Sequence, residues 1–320
     1  MFQGSFVALV TPFRAGRLDE AALRALVEFQ IANGTHGLIP CGTTGESPSL
    51  TAAEWERVAE IVLAQAAGRV PVLIGTGTNN TDVTIERTRR ARELGADGAL
   101  VVTPYYNRPT QEGLYQHFAA IANAVDLPLM LYNVPGRTGA NLLPETVARI
   151  GRIPSIVALK EASGSVEQAS QMVALAGSDL TVLSGDDALT LPMMSVGARG
   201  VVSVVANIAP RPVATLVELM LAGDLPAARA LHHQLADLTR ALFIETNPIP
   251  VKAVASWLGL CTAEVRLPLV PLSPASEGRL RHVWARYDPA QSGSADAGAG
   301  TLKAALLVGV GSRQPSEVPS

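Results

Sequence analysis

The sequence predicts an α/β fold in which eight parallel strands form a (β/α)8 barrel, followed by a C-terminal helical appendage. Short apolar runs bounded by Gly, Pro or Thr alternate with amphipathic segments of helical period, which is typical of parallel strands joined by crossover helices. The eight runs fill about 220 residues, which matches a TIM barrel in count and size. A doubly wound sheet is the alternative, but the sequence has neither G-x-G-x-x-G nor a phosphate-loop motif.

Each predicted strand is a short, mainly apolar run. The eight runs are Phe6–Val10, Gly37–Ile39, Val70–Ile74, Ala99–Val102, Leu127–Leu131, Ile156–Leu159, Leu180–Leu183 and Gly200–Ser203. The segment after the first run predicts a helix, because Asp19 is a suitable N-cap and apolar residues recur at helical spacing from Leu23 to Ile31.

The chain is predicted to have three parts. Residues 1–224 form the barrel, and residues 225–289 form the helical appendage, with further helices over Asn247–Leu258 and after Ser273. Residues 290–320 are rich in Gly, Ala and Ser and extend past the helical signals, so a disordered tail is predicted there.

Composition limits the classes of function. The chain has 320 residues, 48% hydrophobic and 17% charged, with a net charge of −3, which indicates a globular chain with a large core and no polyanion partner. The basic residues are dispersed except for one cluster, and this cluster is interpreted as a solvated helix face rather than a nucleic-acid patch. Its members are Arg87, Arg89, Arg90 and Arg92, beside Glu86 and Glu93.

Targeting and metal signals are missing from the sequence. Two cysteines, Cys41 and Cys261, make no disulfide framework, and Cys41 is interpreted as a small buried thiol. The N-terminus does not resemble a secretion signal, and no apolar stretch approaches the length of a membrane span, so we expect a cytoplasmic protein without membrane contact. The five histidines lack metal-ligand spacing, and we expect no metal. Asp186 is expected to hold the loop after the seventh strand.

The segments that follow the strands are polar, and in such a barrel the chemistry lies at these strand ends. Among them, Lys160 ends the apolar run that begins at Ile156, on the same face as Ala158. A buried lysine amine is disfavoured in its charged form, and a neutral amine is a nucleophile. The common alternative is that Lys160 reaches water or pairs with Glu161. Its predicted place in the barrel mouth instead favours imine chemistry on a keto acid.

Three motifs then carry a resemblance to a known family. Gly42–Glu46 (GTTGE), Tyr132–Thr138 (YNVPGRT) and Lys160–Ala162 (KEA) resemble the dihydrodipicolinate synthase family, also called 4-hydroxy-tetrahydrodipicolinate synthases, among the pyruvate-dependent class I aldolases. The likeness runs from about Met1 to about Pro268. It implies condensation of pyruvate with L-aspartate 4-semialdehyde, without a cofactor, on the path to diaminopimelate and lysine.

The resemblance also implies the catalytic residues. Lys160 would form the Schiff base with pyruvate, and Tyr132 would move protons near the imine. Thr43 and Tyr106 would complete a relay of hydroxyl groups, with Tyr106 reaching in from a neighbouring subunit. Tyr105 would then lie at that interface. The expected assembly is a homotetramer, or a dimer.

Substrate binding is implied at four further positions. Thr44, beside Thr43, would bind the carboxylate of pyruvate, and Arg137 would hold the carboxylate of aspartate semialdehyde. Gly185 would leave room for substrate, and Val202 would line the site.

Two other functions stay open at this level. Another pyruvate-dependent aldolase, for a 2-keto-3-deoxy sugar acid or N-acetylneuraminate, would share Lys160 and Tyr132, and a non-catalytic keto-acid-binding protein would lack the proton relay. The presence of Arg137 together with Thr43, Tyr106 and Tyr132 argues against both. Inhibition by lysine is expected to be weak or absent, because Ala52, Trp55 and Val83 stand where lysine-inhibited relatives carry polar side chains.

Overall fold

The computed structural model describes residues 2–287, and the predicted tail at 290–320 lies outside the described residues. The strands in chain order are β1 (Gly4–Ala8), β2 (Phe13–Arg14), β3 (Arg17–Leu18), β4 (Gly37–Ile39), β5 (Leu73–Gly75), β6 (Gly98–Val102), β7 (Leu129–Asn133), β8 (Ile156–Glu161), β9 (Thr181–Ser184) and β10 (Gly200–Ser203). β2 and β3 form a small antiparallel hairpin, and the other eight form one parallel sheet.

The sheet closes into a barrel. Its strand order is β4-β1-β10-β9-β8-β7-β6-β5, and a parallel bridge between Leu38 and Val72 joins the two ends of this order. Helices surround the strands, as crossover connections require. The predicted (β/α)8 barrel is therefore confirmed, and the doubly wound alternative is wrong.

The described residues contain twelve α-helices. They are α1 (Glu20–Ala32), α2 (Ala52–Ala66), α3 (Thr81–Glu93), α4 (Gln111–Ala124), α5 (Pro135–Thr138), α6 (Pro144–Ile150), α7 (Val166–Ala176), α8 (Thr190–Ser195), α9 (Pro210–Leu221), α10 (Leu225–Ala241), α11 (Ile249–Trp257) and α12 (Pro274–Arg286). The last three match the helices predicted after Asp224. α10 packs against α9 of the barrel and against α12.

Local sequence explains where several helices begin. Asp19 caps α1 as predicted, since its carboxylate accepts a hydrogen bond of 3.0 Å from the Ala22 N–H. Thr51 and Glu54 form a capping box at the start of α2. Such caps satisfy N–H groups that lack a partner within the helix.

Two strands differ from the prediction in a way that matters for the site. β7 and β8 continue for two residues past their predicted ends at Leu131 and Leu159, so Tyr132 and Lys160 lie within strands. These two residues are direct partners in the parallel ladder. Apolar patterning could not show this, because the ladder is held by backbone groups whatever the side chain is.

The barrel interior is filled by one cluster of side chains from all eight strands or their ends. It comprises Phe6, Ala8, Ile39, Leu73, Leu100, Met130, Tyr132, Val134, Ala158, Leu183 and Val202. A larger apolar core lies between the strands and the helices. The interior is therefore a packed core, and free space begins only above it, at the carboxyl ends of the strands.

Candidate active site

Lys160 is buried at the upper end of the barrel interior. Its side chain follows Ala158 on the inward face of β8, and the residue is only 5% exposed. Its Nζ lies 4.1 Å from the centre of the Tyr132 ring on the neighbouring strand. The alternative in which Lys160 reaches water or pairs with Glu161 is wrong, because it forms no ion pair with any described residue.

Gly185, directly after β9, makes space for this lysine. A Cβ at Gly185 would lie 3.0 Å from Lys160 Cγ and 3.1 Å from Cε, which is tighter than most carbon contacts. It would also lie 2.7 Å from the Cβ of Ala162. Gly185 was expected to leave room for substrate, and the group it directly accommodates is the Lys160 side chain.

A cavity of about 420 Å³ lies at the carboxyl ends of β4 to β7. It brings together Thr43, Tyr132 and Arg137, three of the residues predicted for the site. Val202 belongs to the same interior cluster as Tyr132 and is buried. Within the described part of the chain, no Asp or Glu lines the cavity. A cavity with basic lining and no acidic group favours anionic ligands.

Arg137 is presented by α5, a single helical turn directly after β7. The turn is held by Thr138, whose hydroxyl donates to the carbonyl of Ala140 at 2.9 Å and is close to the carbonyl of Val134. The guanidinium of Arg137 has no hydrogen bond or ion pair to residues 2–287. Its donors are therefore free to bind a carboxylate.

Thr43 and Thr44 differ in their surroundings. Thr43 lines the cavity, whereas Thr44 is buried and its Oγ1 accepts a hydrogen bond of 2.9 Å from Asn247 Nδ2. Because that bond occupies one lone pair, the Thr44 hydroxyl keeps its own hydrogen for another acceptor. Asn247 was not predicted to take part in the site.

The loop that carries Thr43 and Thr44 is anchored by a buried ion pair. Lys252 Nζ of α11 lies 2.7 Å from Glu46 Oε1, and both side chains are almost fully buried. Lys252 also donates to the carbonyl of Thr11 at 2.9 Å, and Glu46 accepts from the backbone N–H of Arg266. Burial lowers the pKa of Lys252, and the nearby Glu46 opposes this effect.

Tyr105 and Tyr106 point in different directions. Tyr105 lines the cavity, whereas Tyr106 is 89% exposed and has a left-handed backbone with φ of 72°. Tyr106 therefore contributes nothing to the cavity of its own chain. Whether its hydroxyl serves the site of a neighbouring subunit stays a prediction.

Comparison with known proteins identifies the family. The model of the dihydrodipicolinate synthetase family matches residues 1–284. The chain belongs to this family. It is 62% identical over 280 residues to the 4-hydroxy-tetrahydrodipicolinate synthase of Thermomicrobium roseum. The aligned residues cover 88% of this chain and 93% of that enzyme. The enzyme of the same name from Pelobacter propionicus is 58% identical, covering 90% and 99%.

Solved structures agree with the sequence comparison. The dihydrodipicolinate synthase of Aquifex aeolicus has a TM-score of 0.88 and 50% identity, covering 89% of this chain and 98% of that one. A monomeric dihydrodipicolinate synthase variant also has a TM-score of 0.88, with 45% identity, covering 89% and 97%. The chain is thus similar to lyases throughout its barrel and C-terminal helices.

In this member of the dihydrodipicolinate synthetase family, Glu161 of the KEA motif points away from the cavity into a network of amides. Its carboxylate accepts from Asn133 Nδ2 at 2.9 Å and from the Ser163 N–H at 2.8 Å, and Asn133 also contacts Asn141. Burial raises the pKa of Glu161, while its hydrogen bonds oppose this effect. The network fixes the end of β7 relative to β8.

Of the two acidic residues after β9, Asp187 makes the more extensive contacts. Its carboxylate accepts from the hydroxyl of Ser203 and from the N–H groups of Val204 and Val205. Burial raises its pKa to about 6, and these hydrogen bonds oppose the shift. Asp186 caps the short turn that follows by accepting from Ala188, which fits the predicted role in this loop. The contacts of Asp187 hold the end of β10, next to Val202.

The arginine cluster of α3 is not uniformly solvated, as the sequence had suggested. Arg90 pairs with Glu56 and Glu93, and Arg89 is exposed, but Arg87 lines the cavity. The prediction of a solvated face is wrong for Arg87. A helical charge pattern cannot show this, because the cavity wall depends on how α3 lies over the ends of the strands.

The buried thiol prediction for Cys41 is confirmed, since it is 2% exposed. Residues 2–287 include no cluster of three or more His, Cys, Asp or Glu side chains able to hold a metal ion. Over the same range, no helix is both long and apolar enough to cross a bilayer.

Proposed function

We propose that this chain is a 4-hydroxy-tetrahydrodipicolinate synthase that condenses pyruvate with L-aspartate 4-semialdehyde through a Schiff base on Lys160. The observation that carries the proposal is the buried Lys160 amine, which lies over the ring of Tyr132, a residue that lines the basic cavity. The family membership and the names of the relatives support it.

The chemistry begins with attack of the Lys160 amine on the ketone carbon of pyruvate. Loss of water gives an iminium, which withdraws electrons from the neighbouring methyl group. The methyl carbon then loses a proton and becomes the nucleophilic carbon of an enamine. The enamine carbon attacks the aldehyde of the second substrate. The amino group of that substrate then attacks the iminium carbon, which closes the ring and releases Lys160.

Each step needs a proton donor or acceptor near the imine nitrogen. We assign this role to Tyr132, whose ring contacts Lys160 and whose residue is 6% exposed. Thr43 would connect Tyr132 to Tyr106 of a neighbouring subunit in a relay. A phenol is suited to this task because it both donates and accepts without carrying charge at neutral pH.

We assign recognition of the two substrate carboxylates to two threonines and one arginine. Thr43 and Thr44 would bind the carboxylate of pyruvate, with the Thr44 hydroxyl free to donate because Asn247 supplies its other contact. Arg137 would bind the carboxylate of aspartate semialdehyde. Gly185 and Val202 would shape the pocket around the imine. We further propose a cytoplasmic homotetramer, with a dimer as the smaller possibility.

The test is pyruvate-dependent consumption of aspartate semialdehyde, coupled to a nicotinamide-using reductase that accepts the product. Wild type should turn over, and Lys160→Ala and Lys160→Arg should not, because neither variant can form a Schiff base. Borohydride with pyruvate should label wild type alone. Labelling without turnover would instead indicate another pyruvate-dependent aldolase, to be tried with N-acetylneuraminate and 2-keto-3-deoxy sugar acids, and no labelling would reject the proposal.

A further inference from the structure

Arg87 is a cationic residue of the cavity that the proposed reaction does not use. It lies in the middle of α3, is half-buried, and lines the same cavity as Arg137. Eight other arginines of the described chain pair with carboxylates: Arg14, Arg57, Arg69, Arg90, Arg149, Arg240, Arg266 and Arg281. Arg87 has no hydrogen bond or ion pair within residues 2–287.

Arg87 and the buried Cys41 line the same cavity. Burial raises the pKa of the Cys41 thiol far above its ordinary value, and the positive charge of Arg87 acts on that buried thiol in the opposite direction. Cys41 directly follows β4 and also lines the cavity.

Arg87 and Arg137 approach the cavity from different sides. Arg87 comes from α3, which connects β5 to β6, whereas Arg137 follows β7. α3 is fixed over the end of β5, because Thr88 and Thr76 share a hydrogen bond of 2.9 Å. The two arginines are therefore separate anchors, and two cations in one cavity whose lining has no Asp or Glu leave a surplus of positive charge there.

We propose that Arg87 forms a second carboxylate subsite, distinct from the one at Arg137, which takes a small carboxylate anion. A planar guanidinium with free donors binds carboxylate groups bidentately. A cation at this position also disfavours an ammonium group, which agrees with the expectation that lysine inhibits weakly. The subsite does not depend on imine formation, because its ligand needs no keto group.

The experiment measures succinate binding to the full-length protein by calorimetry, at constant ionic strength and without chloride. Succinate is a dicarboxylate that cannot form an imine. In an Arg137→Leu background, which removes the other guanidinium, succinate should still bind. Adding Arg87→Leu should weaken this binding at least tenfold, and Arg87→Lys should weaken it less, because the charge is kept but the bidentate geometry is lost.

Arg89→Leu is the matched control, since it removes the same charge from the exposed face of the same helix. In the Arg137→Leu background it should leave succinate affinity within about twofold, as expected for a screened surface charge. Equal binding by the Arg87→Leu and Arg89→Leu double variants would overturn the proposal, as would complete loss of binding in Arg137→Leu alone. Thermal melting verifies that each variant is folded.

Discussion

At the scale of single residues, the position of Tyr132 is decided by one backbone pairing. Tyr132 and Lys160 are partners in the ladder between β7 and β8, and alternation along each strand turns both side chains inward. The lysine nitrogen consequently contacts an aromatic face rather than water. The amine therefore lies over the phenol ring, and no Asp or Glu of the described residues lines the cavity that the ring borders.

Replacing Tyr132 by Phe tests the proton-transfer role. The ring and its packing are kept and the hydroxyl is lost, so we expect kcat to fall by about 10²-fold to 10⁴-fold with little change in thermal stability. Steady-state kinetics and the rate of borohydride trapping with pyruvate are the measurements. Tyr115→Phe is the control, because Tyr115 stacks on Arg149 at the surface. A Tyr132→Phe enzyme with wild-type kcat would remove the phenol from the mechanism.

The sequence predicted some site residues and missed others for a physical reason. Lys160, Tyr132 and Arg137 follow or end apolar runs, so the position of the run already locates them at the barrel mouth. Asn247 lies in the turn before α11 and contacts Thr44 across 203 positions of the chain, and Arg87 lines the cavity from α3. Local patterns of polarity carry no information about such contacts.

At the scale of elements, α11 stabilises a loop of the barrel through one buried ion pair. The pair between Lys252 and Glu46 is buried from water. Glu46 belongs to the same loop as Thr43, which lines the cavity. A buried pair contributes little compared with apolar packing, but the loss of one partner leaves a buried charge without compensation. The C-terminal helices are thereby coupled to the site, an arrangement that the strand and helix signals in the sequence could not reveal.

Lys252→Met should lower the free energy of unfolding by about 3–5 kcal/mol, because Glu46 then keeps a buried charge without a partner. Urea unfolding is the measurement. Adding Glu46→Gln should recover part of the loss. The control is Arg281→Met, which breaks an exposed pair with Glu277 and should cost about 1 kcal/mol or less. An equal loss of unfolding free energy in Lys252→Met and in Arg281→Met would contradict the role given to the buried pair.

At the scale of the whole molecule, the proposed role of Tyr106 would make activity depend on assembly. It is the most exposed of the large hydrophobic side chains in the described chain, and it lies outside the cavity of its own subunit. If it completes the relay of a neighbour, then a subunit pair carries two sites built from both chains. Helix and strand patterns predicted the barrel, but they do not show which surface contacts another copy of the chain.

Mixing two defective subunits tests this arrangement. Lys160→Ala and Tyr106→Phe homo-oligomers should each be impaired. In a hybrid pair, one site combines the Lys160→Ala substitution of one subunit with the Tyr106→Phe substitution of the other and has both defects. The second site combines an intact Lys160 with an intact Tyr106 and has neither. Equal mixing followed by subunit exchange should restore about a quarter of the wild-type sites, given random pairing across a two-fold interface. Coupled assays before and after exchange provide the measurement. Activity equal to the average of the two parents would place the relay within a single chain.

The two cysteines have a practical consequence. Cys41 and Cys261 are the only cysteines of the chain; both are buried, and burial raises the pKa of the Cys261 thiol to about 11 and that of Cys41 further. Because thiolates and not thiols react with maleimides, neither sulfur competes for a label in the native fold. One cysteine introduced on the surface can therefore carry a fluorophore or spin label without removal of the natural ones, so distances between subunits become accessible to spectroscopy.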